Sequence, residues 1–125
     1  MDDETINKLS LIQENIKKSN PNSFKIPKII CVSKTFSIDK LNPLIKHGHR
    51  HFGENKVQEA IIKWSNLKKI NANLKLHMVG RLQTNKAKRA LGLFDFIHSL
   101  DSMKLADILK KYEQALNKKL SYFIQ

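Results

Sequence analysis

Apolar and polar positions alternate along this chain in two rhythms. Ile6, Leu9, Ile12 (or Gln13) and Ile16 recur at helical spacing with charged residues between them, which predicts an amphipathic helix over residues 4–18. The polar stretch Ser19, Asn20, Pro21, Asn22 and Ser23 ends it. A short apolar run at 28–33 predicts a strand. Ser37 is placed to cap a helix that runs to about His47, with Gly48 as its stop and Pro43 as a kink. A short strand at 50–53 precedes a helix with Val57, Ala60, Ile61, Trp64 and Leu67 on one face. The rhythm then repeats. Residues 74–79 are strand-like, Thr84 or Asn85 starts a helix that Gly92 ends, and 94–98 is a short strand. Ser102 caps a helix aligning Leu105, Ala106, Leu109, Tyr112 and Leu116, and 120–124 begins a fifth strand.

Helices between strands imply parallel strands joined by right-handed crossovers. A doubly wound sheet and a closed barrel both satisfy that order. No Gly-x-Gly-x-x-Gly follows the first strand and there is no P-loop, so nothing marks a nucleotide site. A (β/α) barrel needs eight units and typically ~250 residues; this chain has 125. The expectation is an α/β fold, a partial TIM-type barrel of about five parallel strands forming one domain over 1–125. It would be truncated in mid-strand with two open sheet edges.

Charge and compartment narrow the class further. The net charge is +12, carried by 20 lysines and only 3 arginines spread along the chain. Such a surface attracts polyanions at low salt. It lacks the clustered arginines and aromatic platform of a dedicated nucleic-acid site. The densest stretch, Arg81, Lys86, Lys88 and Arg89, reads as a solvated helix face. Cys31 is the only cysteine, so no internal disulfide forms, and its apolar setting reads as core. No run approaches the ~20 apolar residues of a membrane span, and the acidic N-terminus is unlike a signal peptide. No residues have metal-ligand spacing. Together these point to a cytoplasmic protein.

Lys34, at the exit of the first apolar run, is the leading candidate for chemistry. Ile30, Val32 and Lys34 share one strand face, and Ile29, Cys31 and Ser33 the other. A lysine shielded from water there would lose hydration, expose its neutral amine and become a nucleophile toward aldehydes. Other polar residues near strand ends have plainer readings. Asn55 would cap the next helix, and His77 and His98 would be hydrogen-bonded core histidines. Gly53 and Gly80 would give backbone freedom, and Glu54 and Glu59 would favour a helix start. Asp101 and Ser102 would serve as turn and cap.

Four stretches together add a resemblance. Val32-Ser33-Lys34-Thr35, the run from His51 to Glu59, the run from His77 to Lys86, and His98-Ser99-Leu100-Asp101-Ser102 resemble the pyridoxal phosphate homeostasis protein family. That family has a barrel similar to the N-terminal domain of alanine racemase. The resemblance covers the whole chain but only the N-terminal half of a typical member. It implies binding of pyridoxal 5′-phosphate, with Lys34 forming the aldimine and Asn55 beside the ring. His77, Met78 and Arg81 would line the same pocket. It implies a role in vitamin B6 cofactor homeostasis, by buffering or delivery, with little or no turnover and no residue assigned a catalytic role.

The cofactor's phosphate would be held by loops after late strands, which these residues do not include, so binding is expected to be weakened. A complementary half-barrel or self-association would close the sheet. The alternatives are a racemase-like enzyme and non-specific nucleic-acid binding through the basic surface. The first needs a tyrosine opposite Lys34, and neither Tyr112 nor Tyr122 suits that place.

Overall fold

The computed structural model describes residues 2–20, 22 and 26–125. Pro21 and Ser23 of the expected turn lie outside them. The described elements follow the expected order. They are α1 (Asp2–Ser19), β1 (Cys31–Val32), α2 (Ile38–His47), β2 (His51–Glu54), α3 (Val57–Ile70), β3 (Lys75–Met78), α4 (Ala87–Leu93), β4 (Phe96–Leu100), α5 (Met103–Leu116) and β5 (Ser121–Ile124). A 3-10 turn at Thr84–Lys86 leads into α4.

The five strands are all parallel and lie in the order β1-β2-β3-β4-β5. This order decides between the two architectures. A doubly wound sheet reverses its strand order at a switch point. Here each strand is added beside the last, so right-handed crossovers carry every helix to the same face. That is the winding of a (β/α) barrel, over about five of its units.

Alternation sorts the side chains. Phe52 pairs with Leu76, and Met78 with Ile97, and all four are buried on the helix-facing side. Trp64 of α3 is fully buried there, its ring 4.9 Å from that of Phe52. Each such side chain contributes roughly 1.5–3 kcal/mol of apolar burial. Helix α5 adds Leu105 and Leu109, as its periodicity predicts, whereas Leu116, expected on the same face, is exposed. Ser102 accepts a hydrogen bond from the Leu105 N–H at 3.1 Å, capping that helix. Gly48 closes α2 with φ of 106°, a left-handed conformation that favours glycine.

Several boundaries differ from expectation, each for a physical reason. Strand β1 is two residues long rather than six. Among the described residues it pairs with β2, Cys31 opposite Phe52 and Val32 opposite Gly53; β2 begins at His51, so residues before Ile30 lie beyond its start. Gly92 lies inside α4 rather than ending it; the helix runs on to Leu93, and Phe94 packs fully buried behind it. Phe94 therefore belongs to the core and not to β4, which starts two residues later than expected. In α1, Leu9 is buried while Ile12 is 48% exposed, so the inward stripe does not follow Ile12.

Candidate functional site

Residues at the C-terminal ends of β1 and β2 form the candidate site. After Val32 the chain turns. The Ser33 N–H donates to the Gly53 carbonyl at 2.9 Å, and the Phe36 N–H donates back to the Ser33 carbonyl at 3.1 Å. Lys34 and Thr35 occupy that turn. The buried Ser33 hydroxyl donates to Glu54 Oε2 at 2.6 Å. The same carboxylate oxygen accepts from Lys63 Nζ and Trp64 Nε1, both at 3.0 Å. Lys63 Nζ also donates to the Ser33 carbonyl. Glu54 is fully buried, and its Oε1 has no hydrogen-bond partner among the described residues. Glu54 thus does not serve the helix start as expected. It joins β2, α3 and the residue that precedes Lys34.

Asn55 follows Glu54, and its side chain makes no capping bond; the residue at the start of α3 is Lys56. What fixes Asn55 is crowding. A Cβ on Gly80 would lie 2.7 Å from both Cβ and O of Asn55, closer than atoms tolerate. The Ser99 hydroxyl donates to the Gly80 carbonyl at 2.7 Å and holds that loop against Asn55. Gly80 is needed for space, not for an unusual φ. Gly53 is similar, because a Cβ there would press at 3.2 Å on Ile30 and Val79.

Lys34 and Asn55 line one open hollow of about 630 Å³, together with Glu54, Lys56, Glu59 and Lys63. Lys34 is exposed, however. The shielding from water expected from its place after an apolar run is absent, because the chain has already left the strand. A primary amine here is open to a ligand and to solvent alike. A hollow of this size lies within the roughly 300–1,000 Å³ typical of small-molecule sites, and its amine is the group that an aldehyde ligand requires.

Of the other candidates, Met78 and Arg81 line a neighbouring hollow of about 820 Å³ that also touches Asn55. His77 lines neither. It sits on the inner face, bonded through Nε2 to His51 Nδ1 at 2.9 Å and through Nδ1 to His98 Nε2 at 2.8 Å. Its ring stacks on Phe96 at 4.2 Å. Burial, then the neighbouring His98 and His51, pull its pKa down to about 4. Burial likewise lowers His98 and His51, and raises the thiol of Cys31. The expectation of a hydrogen-bonded core histidine holds for His77; His98 is hydrogen-bonded but only half-buried, with imidazole itself as the partner in both cases.

No family model matches the chain. Among curated proteins, it is 44% identical over 103 residues to the pyridoxal phosphate homeostasis protein of Buchnera aphidicola subsp. Schizaphis graminum, a match covering 82% of this chain and 44% of that protein. It is 35% identical over 121 residues to the protein of the same name from Pasteurella multocida, covering 94% and 52%. Among solved structures, PipY of Synechococcus elongatus PCC7942, with PLP bound, matches with a TM-score of 0.71 at 37% identity, covering 85% of this chain and 50% of that one. A protein from Bifidobacterium adolescentis shares the fold, with a TM-score of 0.82 at 22% identity. The chain spans about half the length of the curated relatives it matches. It belongs to the pyridoxal phosphate homeostasis protein family, and its residues correspond to the N-terminal half of that family's members.

Proposed function

We propose that this chain binds pyridoxal 5′-phosphate as a cofactor-holding module of vitamin B6 homeostasis, with Lys34 as the residue that engages the cofactor. The observation that carries this is the shared hollow: Lys34 and Asn55 follow the ends of different strands and line the same cavity. PipY, a relative at 37% identity, has been solved with PLP bound. When bound, pyridoxal 5′-phosphate supplies an aldehyde that condenses reversibly with a primary amine.

The chain's own residues account for the rest. Glu54 and Lys63 hold the Ser33 hydroxyl and carbonyl, and so set the direction in which Lys34 leaves the backbone. Asn55, crowded by Gly80, lines the same hollow as the amine. Lys56 adds positive charge at the hollow for an anionic ligand, while the Lys63 charge is balanced by Glu54.

A carrier role fits better than racemisation. Tyr122 donates its hydroxyl to Glu113 at 2.6 Å and packs with Tyr112 against the core, so neither tyrosine stands opposite Lys34. The phosphate-gripping loops implied by the resemblance are not among these 125 residues, so their binding of the cofactor is weak. In a titration with pyridoxal 5′-phosphate, the cofactor's absorbance band should move to longer wavelength, saturably and with low affinity. Lys34→Ala should abolish the change. The same band shift persisting in Lys34→Ala would assign it to other lysines and refute this function for Lys34.

A further inference from the structure

The larger hollow, about 820 Å³, lies at the strand ends between three connections: β2 to α3, β3 to α4, and β4 to α5. Each contributes cations to it: Lys56 from the first, Arg81 and Lys86 from the second, and Lys104 from the third. Opposing them are only Glu59 and Asp101. Lys56 pairs loosely with Glu59 at 3.9 Å. Arg81, Lys86 and Lys104 make no ion pair among the described residues. The floor is apolar, since Met78, Leu82 and Leu105 are all buried. The basic stretch that looks like one solvated face in the sequence is therefore divided. Arg81 and Lys86 converge on the hollow with cations from two other loops, while Lys88 and Arg89 lie outside its lining.

We propose that this hollow is a separate subsite for a phosphate monoester. Convergent cations that lack acidic partners recognise a compact dianion through charge-assisted hydrogen bonds, and Arg81 can do so with two parallel N–H groups. The apolar floor suits a small flat body attached to that phosphate. The hollow is distinct from the Lys34 hollow, which it meets at Asn55, Lys56 and Glu59. The phosphate could belong to a vitamin B6 ester or to another metabolite, and the chemistry of recognition is the same for both.

The test uses pyridoxine 5′-phosphate, which has no aldehyde, so its outcome is independent of Lys34. Backbone amide shifts of the labelled chain are followed at constant ionic strength during titration with this probe, with pyridoxine and with inorganic phosphate. The expected result is saturable binding of both phosphate-bearing probes, with shifts confined to residues 55–59, 81–86 and 101–105. Arg81→Ala/Lys86→Ala should weaken it at least about tenfold. Lys88→Ala/Arg89→Ala, which removes the same charge from outside the hollow, should change it less than about twofold. If the ester binds more tightly than phosphate alone, the floor holds the pyridine ring. Equal affinity leaves the source of the phosphate general. Absence of saturation, or equal weakening by the two double variants with shifts scattered over many lysines, would overturn the subsite and leave only diffuse attraction to a +12 surface.

Discussion

On the helix-facing side of the sheet, Phe52, Leu76, Met78 and Ile97 share one core with Trp64 and are almost wholly buried. On the other side the same strands present His51, His77, Phe96 and His98, joined by imidazole hydrogen bonds and ring stacking. Val32 and Phe123, at the two edges of that inner side, are 48% and 51% exposed. One side derives its stability from apolar burial. The other depends on satisfied polar rings whose protonation matters. The difference shows why strand ends can bear function: their packing is settled on one side, leaving alternate residues free on the other.

The comparison can be broken at its strongest point. Trp64→Ala should destabilise the chain by about 3–5 kcal/mol in urea unfolding, whereas Phe123→Ala on the open side should cost less than about 1 kcal/mol. Similar losses for both would mean the two sides are equally packed. Next in size is the buried carboxylate. Glu54→Ala leaves Lys63, Ser33 and Trp64 without their shared acceptor and should cost about 3–5 kcal/mol. Adding Lys63→Met to Glu54→Leu should recover part of that loss, because no buried charge is then unpaired.

The inner side has a pH signature. His77 titrates near 4 in the fold and near 6.5 when unfolded, so the unfolded chain binds more protons between those values. Stability is therefore lost as pH falls from about 6.5 toward 4. Between pH 7 and pH 5 the His77 contribution should fall by about 2 kcal/mol. Denaturant melts of the parent chain and His77→Gln at both pH values check this: the parent should weaken at pH 5 and the variant should show less of that loss. Comparable in size is Gly80→Ala, expected to cost about 1–3 kcal/mol through overpacking against Asn55. It should also move the Asn55 amide signal, which a remote effect would leave in place.

Much of this architecture was legible because it depends on local periodicity. Ser102 as a cap, Gly48 as a stop, and the inward faces of α3 and α5 all follow from spacing. The boundaries that moved involve residues with two plausible uses. Phe94 suits a strand as well as a helix terminus packed into the core, and Gly92 sits on an exposed helix position where it costs little packing. Of the candidate site, Lys34 and Asn55 are the residues that the motifs single out. The Glu54 cluster could not, because it joins residues as much as 30 apart in sequence through side chains with ordinary surface readings. The histidine chain was equally hidden, since three isolated histidines show no spacing until β2, β3 and β4 are in register. The apolar run before Lys34 is compatible with a shielded amine and with one that leaves the strand into solvent; β1 ends at Val32, and the turn that follows carries the amine into the open.

Reductive trapping tests the central claim most directly. The chain is incubated with a small excess of pyridoxal 5′-phosphate, treated briefly with borohydride, and digested for mass mapping of all 20 lysines. The expected result is label concentrated on Lys34 and diminished in Glu54→Gln, whose fold is checked in parallel by circular dichroism. Label distributed over many lysines, with Lys34 no more reactive than the rest, would contradict the assignment.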